Sequence, residues 1–400
     1  MIIKSISKVF SGVAVYSLYQ LLLSVLIGKL YGTQALAEYF FVFSLIATVF
    51  FLTNLGLRQL ITSSNVYSEI NEYFTIRLMT SIIALLISFT LYFNSGKEEY
   101  SIFITIFLLK LFESVSEINY AYYQRQLEHS YQSRALIGKS ILSIIAFITS
   151  WKLGMRLETT LLFVVLANLF SIAIFEIKKA ANLNAILKFK PRLNYALIRY
   201  SIPLGLAMFI INLNINFPRI ISGYYLDDFD IAIIGASIQL ALAGSPFITG
   251  ITQALLPTFR KMKEDGDNHK VQNLFLKTLV LLALSSGISV VLLSYFSKEL
   301  LAIIYNAEIS KGYSVFNLIL IGAALNYMSS ITTLIIVVNS KLKENLLILI
   351  FSFFFSILYL LICENITLET ISYSFIISTI TRFILSLAYS MAINRDRDYA

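Results

Sequence analysis

Charged side chains stand inside the apolar stretch SIFITIFLLKLFESVSEINYAY, at Lys110, Glu113 and Glu117. Spacings of three and seven residues place all three on one face of a helix. Lys110 and Glu113 can neutralise each other, which is the structural interpretation of that pair. Glu117 then has no local partner, and a carboxyl group in apolar surroundings can take up a proton near neutral pH. Glu113 and Glu117 are therefore predicted to bind a proton or another cation.

A second polar row interrupts an apolar stretch in the segment NLNINFPR. Asn212, Asn216 and Arg219 recur at intervals of four and three residues and share one helical face. In one interpretation Arg219 reaches the membrane surface and the amides join neighbouring helices. In the other, the row is the wall of a cationic cavity that binds an anionic or sugar-rich ligand. The amides, up to two turns deeper than Arg219, favour the cavity.

Arg382 lies near the middle of a third apolar stretch, in STITRFILS. An arginine at the centre of a membrane helix costs roughly 2.5–3.5 kcal/mol on insertion scales, so such residues usually face a protein interior or a wet cavity. Arg382 is either a structural partner of one of the two glutamates or a second cavity cation. The predicted binding groups are Arg219, Asn212, Asn216, Lys110 and Arg382.

Residues for catalysis or metal binding are scarce. His129 and His269 lie in polar stretches, and Cys363 is the single cysteine. A disulfide framework within the chain, a cysteine-based zinc site and a buried histidine cluster are therefore excluded. We expect no catalytic residue, no metal and no cofactor.

The composition identifies the elements that must position these residues. Of 400 residues, 58% are hydrophobic and 14% are charged, with a mean hydropathy of +0.77. Soluble domains average about 45–50% apolar and 25% charged residues, so the chain is predicted to be an all-α polytopic membrane protein. Windows of about 20 apolar residues predict 12 spans, near residues 9–29, 36–57, 76–94, 101–122, 134–152, 158–177, 200–222, 231–257, 273–295, 314–338, 345–363 and 370–391.

Lysine and arginine are distributed unequally between the two sides of these spans. With the N-terminus on the inside, and with residues near span ends counted with the adjoining segments, 22 lie on inner segments, 6 on outer segments and 3 deep within spans. This bias predicts that both termini are cytoplasmic. It also explains the net charge of +8 as a topology signal, so nucleic acid is not an expected partner.

A basic segment divides the spans into two sets of six. We predict an N-terminal lobe over residues 1–177, a cytoplasmic linker over 178–199 and a C-terminal lobe over 200–400. Weak similarity between the halves at an offset of 195 residues is compatible with a duplicated six-helix bundle, which would enclose a central cavity.

All five prolines fall between residues 191 and 257. Spans seven and eight are therefore the helices most prone to interruption. Interrupted helices in transporters often flex during alternating access. Pro203, Pro218 and Pro246 are predicted hinges. Ordinary kinks tolerated by helix packing are the alternative.

Three stretches, taken in order, resemble the polysaccharide flippase (Wzx-type) family of the MOP exporter superfamily, whose relatives include lipid II flippases and MATE exporters. The first is LIGKLYGTQALAEYFFVFSLIATVFFLTNLGLRQLI, with its closing Gly-Leu before Arg58. The second is YSIPLGLAMFIINLNINFPR and the span after it. The third is ELLAIIYNAEISKGYSVFNLILIGAALNYM followed by VVNSKLKENLLI. The turn LDDFD departs from the family pattern because it lacks a glycine.

The resemblance implies two six-helix lobes around a cationic cavity. It implies movement of an undecaprenyl-pyrophosphate-linked oligosaccharide from the inner to the outer leaflet of the bacterial plasma membrane. We expect this movement to occur by alternating access, and H⁺, Na⁺ and the membrane potential are the alternatives for the driving force. Membrane lipids and other polysaccharide-assembly membrane proteins are the implied partners. Asn216 and Arg219 carry over onto the seventh-span motif, whereas Lys110, Glu113, Glu117 and Arg382 match no family motif.

Two other functions compete with a flippase. A MATE-like H⁺- or Na⁺-coupled exporter of small molecules would favour cavity carboxylates for a cationic substrate, whereas the charges within these spans include three cations. A membrane glycan polymerase or acyltransferase would need a sizeable outer loop or a buried histidine. The predicted outer turns are short, and no predicted span contains a histidine.

Overall fold

The computed structural model describes residues 2–63, 69–126, 128–177, 188–190 and 194–395, and these form an all-helical fold. The helices are α1 (Ile2–Leu30), α2 (Gly32–Thr53), α3 (Leu57–Ser63), α4 (Ile70–Asn94), α5 (Tyr100–Arg125), α6 (His129–Lys152), α7 (Leu157–Ser171), α8 (Tyr195–Tyr225), α9 (Asp228–Ala241), α10 (Ser245–Glu264), α11 (Asn268–Tyr295), α12 (Ser297–Ile304), α13 (Tyr313–Val338), α14 (Leu342–Ile362) and α15 (Leu368–Arg395).

The prediction of a multi-pass membrane protein is confirmed. Within the described residues, 11 helical stretches are long and apolar enough to cross a membrane. They correspond to every predicted span except the fourth, which forms the 26-residue helix α5. The apolar stretch of α5 contains three charged residues, Lys110, Glu113 and Glu117, whereas each of the 11 stretches has a membrane-length window with at most two. Counting α5, the described chain has the 12 predicted spans.

Several local elements were not predicted from the sequence. Span two ends at Thr53, and a turn with positive φ at Leu55 and Gly56 leads into the short helix α3. Span eight is broken between α9 and α10, where the hydroxyl of Tyr327 donates to the carbonyl of Ala241 at 2.8 Å. This bond satisfies a carbonyl that the end of α9 leaves without a helical partner. The sixth span ends in a π-helical turn, Ile172–Ile177.

The helices form two compact units, residues 1–216 and 217–400, which we call the N-terminal and C-terminal units. The division falls within α8, so α8 contributes to both units. Most of the predicted linker over 178–199 lies outside the described residues, namely 178–187 and 191–193. The predicted lobe boundaries therefore stay a prediction.

Close backbone contact fixes α3 in the N-terminal unit. A Cβ on Gly205 of α8 would lie 2.6 Å from the Cα of Leu55, and one on Gly56 would lie 2.9 Å from the Cβ of Leu204. Gly56 also has φ +61°, which favours glycine. The apolar side of α3 packs on α4, α5 and the start of α8, through a core that includes Leu57. The polar side of α3 is thereby held next to α5.

In the C-terminal unit, α13 packs along α15 through small residues. Gly322 lies against the ring of Phe375, where a Cβ would approach within 2.6 Å. About three helical turns further along, the hydroxyls of Thr332 and Ser386 hydrogen-bond at 2.5 Å. Small residues and hydroxyl pairs are typical of helix contacts inside membranes, since they allow close approach and satisfy polar groups without water.

Candidate functional site

Lys110 and Glu113 form an ion pair in the middle of α5. Lys110 Nζ lies 2.8 Å from Glu113 Oε2, and the ammonium group also lies 4.3 Å from the ring centroid of Phe43 on α2. The predicted pairing of these two residues is therefore present. An aromatic face adds to the stabilisation of the cation where water is scarce.

The ion pair lines two cavities of the N-terminal unit. One, which we call the tyrosine cavity, is lined by Tyr16, Tyr19, Gln20, Leu23, Tyr39, Phe43, Ile106, Leu109, Lys110, Glu113 and Asn168. The other, the asparagine cavity, is lined by Ala47, Phe50, Phe51, Asn54, Lys110, Glu113, Ser114 and Glu117. Paired charge, aromatic rings and amides meet in the tyrosine cavity, which suits a polar ligand.

Glu117 has no partner on its own helix, as predicted, but it faces two cations of other helices. Its carboxylate oxygens lie 3.7 Å from Arg58 Nη1 and 3.8 Å from Arg77 Nη2. Both arginines stand near the ends of predicted spans. Arg58 projects from α3, and Arg77 lies two turns inside α4, where it is fully buried. We call Arg58, Arg77 and Glu117 the arginine cluster.

Two further buried charges were missed from the sequence. Glu176, in the π-helical turn, accepts from Asn119 Nδ2 at 3.0 Å and from the Tyr120 hydroxyl at 2.9 Å. Lys139 is buried in α6, 5.7 Å from the ring centroid of Tyr16. Both residues lie near the ends of predicted spans, next to polar segments. Spacing gives no signal for Glu176, because Asn119 lies on the opposite side of α5 from Lys110.

The asparagines of α8 bond to neighbouring helical groups. Asn216 Nδ2 donates to Asn212 Oδ1 at 2.9 Å, and Thr48 of α2 donates to the same oxygen at 3.3 Å. Asn214 donates back to the carbonyl of Ile210 at 3.1 Å. The predicted common face of Asn212 and Asn216 is therefore present, and it contacts α2 within the N-terminal unit.

Arg219 is enclosed within the protein, whereas the Asn212 amide does join α8 to α2. Its side chain belongs to the C-terminal unit and is only 3% exposed. Its Nη2 donates to the carbonyl of Gly235 at 2.9 Å and to Gln239 Oε1 at 3.1 Å. Arg219 is thus a buried cation held by neutral oxygens of α9.

Arg382 is not the partner of either predicted glutamate. It is 9% exposed, and its Nη1 donates to Asn326 Oδ1 of α13 at 3.0 Å. Glu113 and Glu117 are paired with cations of the N-terminal unit instead. Among the described residues, Nε of Arg382 has no hydrogen-bond partner. Arg382 is therefore a second buried cation bound by an amide.

The three predicted hinges occupy different positions. Pro203 and Pro218 lie within the continuous helix α8, whereas Pro246 lies in the first turn of α10, directly after the break at Gly244. Proline is favourable in a first helical turn because no backbone donor is lost there. Movement at these positions stays a prediction.

Comparisons with known proteins agree on family and fold. A family model described as polysaccharide biosynthesis protein matches residues 39–307. The chain is 27% identical over 410 residues to the capsular polysaccharide biosynthesis protein CapF of Staphylococcus aureus, an alignment that covers 97% of this chain and 98% of CapF.

Solved transporters share the fold. An inward-facing multidrug resistance MATE family transporter of the MOP superfamily superposes with a TM-score of 0.73 at 13% identity, covering 96% of each chain. A Vibrio cholerae MATE transporter superposes with a TM-score of 0.63 at 15% identity, covering 99% of this chain and 95% of that one. At these identities the likeness establishes the two-lobe transporter fold.

Proposed function

Because the chain belongs to the polysaccharide biosynthesis protein family, we propose that it is a flippase for a lipid-linked oligosaccharide. The resemblance to MOP-type flippases is confirmed by the family and by the fold. Both assign the chain a flippase or exporter role, not an enzymatic one. The lipid-linked, anionic nature of the substrate and the direction of movement are the proposed parts.

The observation that carries the substrate assignment is the set of cations held inside the spanning helices. Arg77, Lys110 and Lys139 lie in the N-terminal unit, and Arg219 and Arg382 lie in the C-terminal unit. Cations are costly at this depth and mark pathways for substrates or ions. An anionic headgroup would gain favourable interactions there that a cationic drug would not.

The tyrosine cavity supports a sugar as the other part of the substrate. Its tyrosine rings offer flat apolar faces, while Gln20 and Asn168 offer amide donors and acceptors. A sugar moved through hydrocarbon would leave its hydroxyl groups without hydrogen bonds, at several kcal/mol each. We propose that such groups replace water along the path, while the polyprenyl tail stays in the lipid.

We propose that the oligosaccharide moves from the cytoplasmic to the outer leaflet of the bacterial inner membrane by alternating access. The distribution of Lys and Arg supports this orientation, with both termini in the cytoplasm. Enzymes that assemble the repeat unit and enzymes that polymerise it are the expected membrane partners.

Complementation tests this function through Arg219. In a strain that lacks the gene, lipid-linked repeat units should accumulate on the cytoplasmic leaflet, and the wild-type gene should restore surface polysaccharide. Arg219→Ala should fail to restore it, because the buried cation that α8 places against α9 is lost. Arg199→Ala, an exposed arginine on the same helix, is the matched control and should complement fully.

Immunoblots must show equal amounts of the two variants in the membrane. If the deletion strain displays normal polysaccharide and instead becomes sensitive to cationic drugs, the chain is an exporter of the MATE kind. Full complementation by Arg219→Ala would remove Arg219 from the substrate path.

We propose that Glu113 couples transport to a proton or Na⁺ gradient. Its carboxylate lines both cavities and lies 2.8 Å from the Lys110 ammonium group. A lipid-linked oligosaccharide should therefore move several-fold faster in proteoliposomes under an imposed gradient, and Glu113→Gln should remove this acceleration. Glu98→Gln, on an exposed turn of the same unit, should retain it. An unchanged gradient response in Glu113→Gln would exclude Glu113 as the coupling group.

A further inference from the structure

The arginine cluster holds its carboxylate loosely. Two guanidinium groups face Glu117, at 3.7 and 3.8 Å. Charge-assisted hydrogen bonds between nitrogen and oxygen are usually about 2.7–2.9 Å long. The cluster therefore combines an excess positive charge with contacts too long for strong hydrogen bonds, and one carboxylate does not satisfy both arginines.

Arg77 has donors that no group in the described part of the chain accepts. Its side chain is fully buried, yet Nε and Nη1 have no hydrogen-bond partner among the described residues. Buried polar groups in proteins are nearly always hydrogen-bonded, and an exception calls for an explanation such as a ligand or ion. A group with more acceptor oxygens than a carboxylate would satisfy these donors.

Arg58 is held rigidly at this place. The turn before α3 is pressed against Gly205 of α8, and the Ser114 hydroxyl donates to Asn54 Oδ1 at 3.0 Å. These contacts fix α3 to both α5 and α8. Arg58 therefore faces Glu117 without a need for backbone rearrangement, which is the preorganisation that a binding site requires.

The cluster opens into the asparagine cavity. Glu117 lines that cavity together with Lys110, and the seven residues between them correspond to about 10 Å along α5. Arg58 and Glu117 are 30% and 27% exposed. An anion can therefore reach Arg58 from outside, and Lys110 offers a second cation further along the same cavity.

We propose that Arg58 and Arg77 form a phosphate-binding site in which Glu117 acts as a removable internal anion. The pyrophosphate of the lipid-linked substrate displaces the Glu117 carboxylate, which turns into the asparagine cavity. Guanidinium groups suit this ligand because their planar donors match phosphate oxygens in pairs. The site lies at the end of the N-terminal unit predicted to be cytoplasmic, where the substrate is loaded. The source of the pyrophosphate rests on the proposed function.

Titration of the full-length protein with inorganic pyrophosphate tests this site. The protein is placed in phosphatidylcholine nanodiscs, and binding is followed by calorimetry. Glu117→Gln should bind about tenfold more tightly than the wild type, which corresponds to about 1.4 kcal/mol, because no carboxylate competes. Arg58→Gln should bind at least tenfold more weakly. Arg125→Gln, which removes an exposed charge from the end of α5, should bind like the wild type.

An affinity of Glu117→Gln equal to that of the wild type would overturn the proposal, as would unchanged binding by Arg58→Gln. Thermal melting checks that each variant is folded. Arg58→Lys keeps the charge without the paired donors and should bind with intermediate affinity even if Arg58→Gln is unstable. Wild-type binding by Arg58→Lys would contradict paired recognition.

A second arm identifies the source of the phosphate. Adding phosphatidylglycerol to the nanodiscs should leave pyrophosphate binding unchanged. Strong competition would show that the site holds lipid headgroups and would overturn the assignment to substrate.

The titration does not depend on transport, so the site and the proposed function can fail separately. A deletion strain with normal surface polysaccharide refutes the function. If the gene does restore polysaccharide but Glu117→Gln binds pyrophosphate no more tightly than the wild type, only the site is refuted.

Discussion

Lys110→Ala is expected to lower the free energy of unfolding by about 3 kcal/mol, the lower end of the range for breaking a buried ion pair. The substitution leaves the Glu113 carboxylate without its partner at 2.8 Å and removes the ammonium group from the Phe43 ring. The loss stays at the lower end because the carboxylate faces two cavities. Thermal melting of the purified protein measures it, and Lys152→Ala, at an exposed helix end, is the control.

The double variant Lys110→Met/Glu113→Leu separates structure from transport. Replacing both charges by apolar groups of similar size is often neutral for stability, so the melting temperature should return close to that of the wild type. Surface polysaccharide should remain absent, because the cavity cation and the coupling carboxylate are both missing. If the double variant restores stability and polysaccharide together, the pair serves the fold only.

Gly205→Ala is the second substitution with a large expected effect. The new Cβ would stand 2.6 Å from the Cα of Leu55 and 2.9 Å from its carbonyl carbon. Backbone atoms cannot rotate away, so we expect a loss of about 2–3 kcal/mol from overpacking. Displacing α3 would also move Arg58 from Glu117.

The same chemical change at Gly287 of α11 is the matched control. A Cβ there would meet nothing within 4 Å, and alanine is the better helix former by about 1 kcal/mol. Gly287→Ala should therefore melt at the wild-type temperature or slightly above it. Equal melting temperatures for the two variants would show that α3 is not fixed by contact with α8.

The spanning helices could be predicted from the sequence because hydrocarbon imposes a length and an apolar character on each segment. Helix α3 could not, since nothing in LRQLITS distinguishes the end of a span from a separate helix. The left-handed backbone at Leu55 and Gly56 ends span two and separates it from α3. In the sequence, a single glycine is the only indication of this turn. Tertiary contact with Gly205 then fixes the turn.

In the candidate site, a contact within one helix could be predicted from the sequence, whereas contacts between helices could not. Spacing predicted the pair Lys110 and Glu113, because both partners lie on one helix. It could not predict that Arg77 of α4 reaches Glu117, or that Glu176 meets Asn119 of α5. Such contacts join residues far apart in the chain, and near the end of an apolar run a buried cation resembles a topology signal.

The three charges inside the apolar stretch of α5 bear on how the protein enters its membrane. Alone, α5 would partition poorly into lipid during synthesis. Lys110 neutralises Glu113 within the helix, and the two cations that face Glu117 lie on α3 and α4, which leave the ribosome earlier. The order of the chain thus supplies the counter-charges before α5 emerges, and integration of this helix becomes a cooperative step with its predecessors.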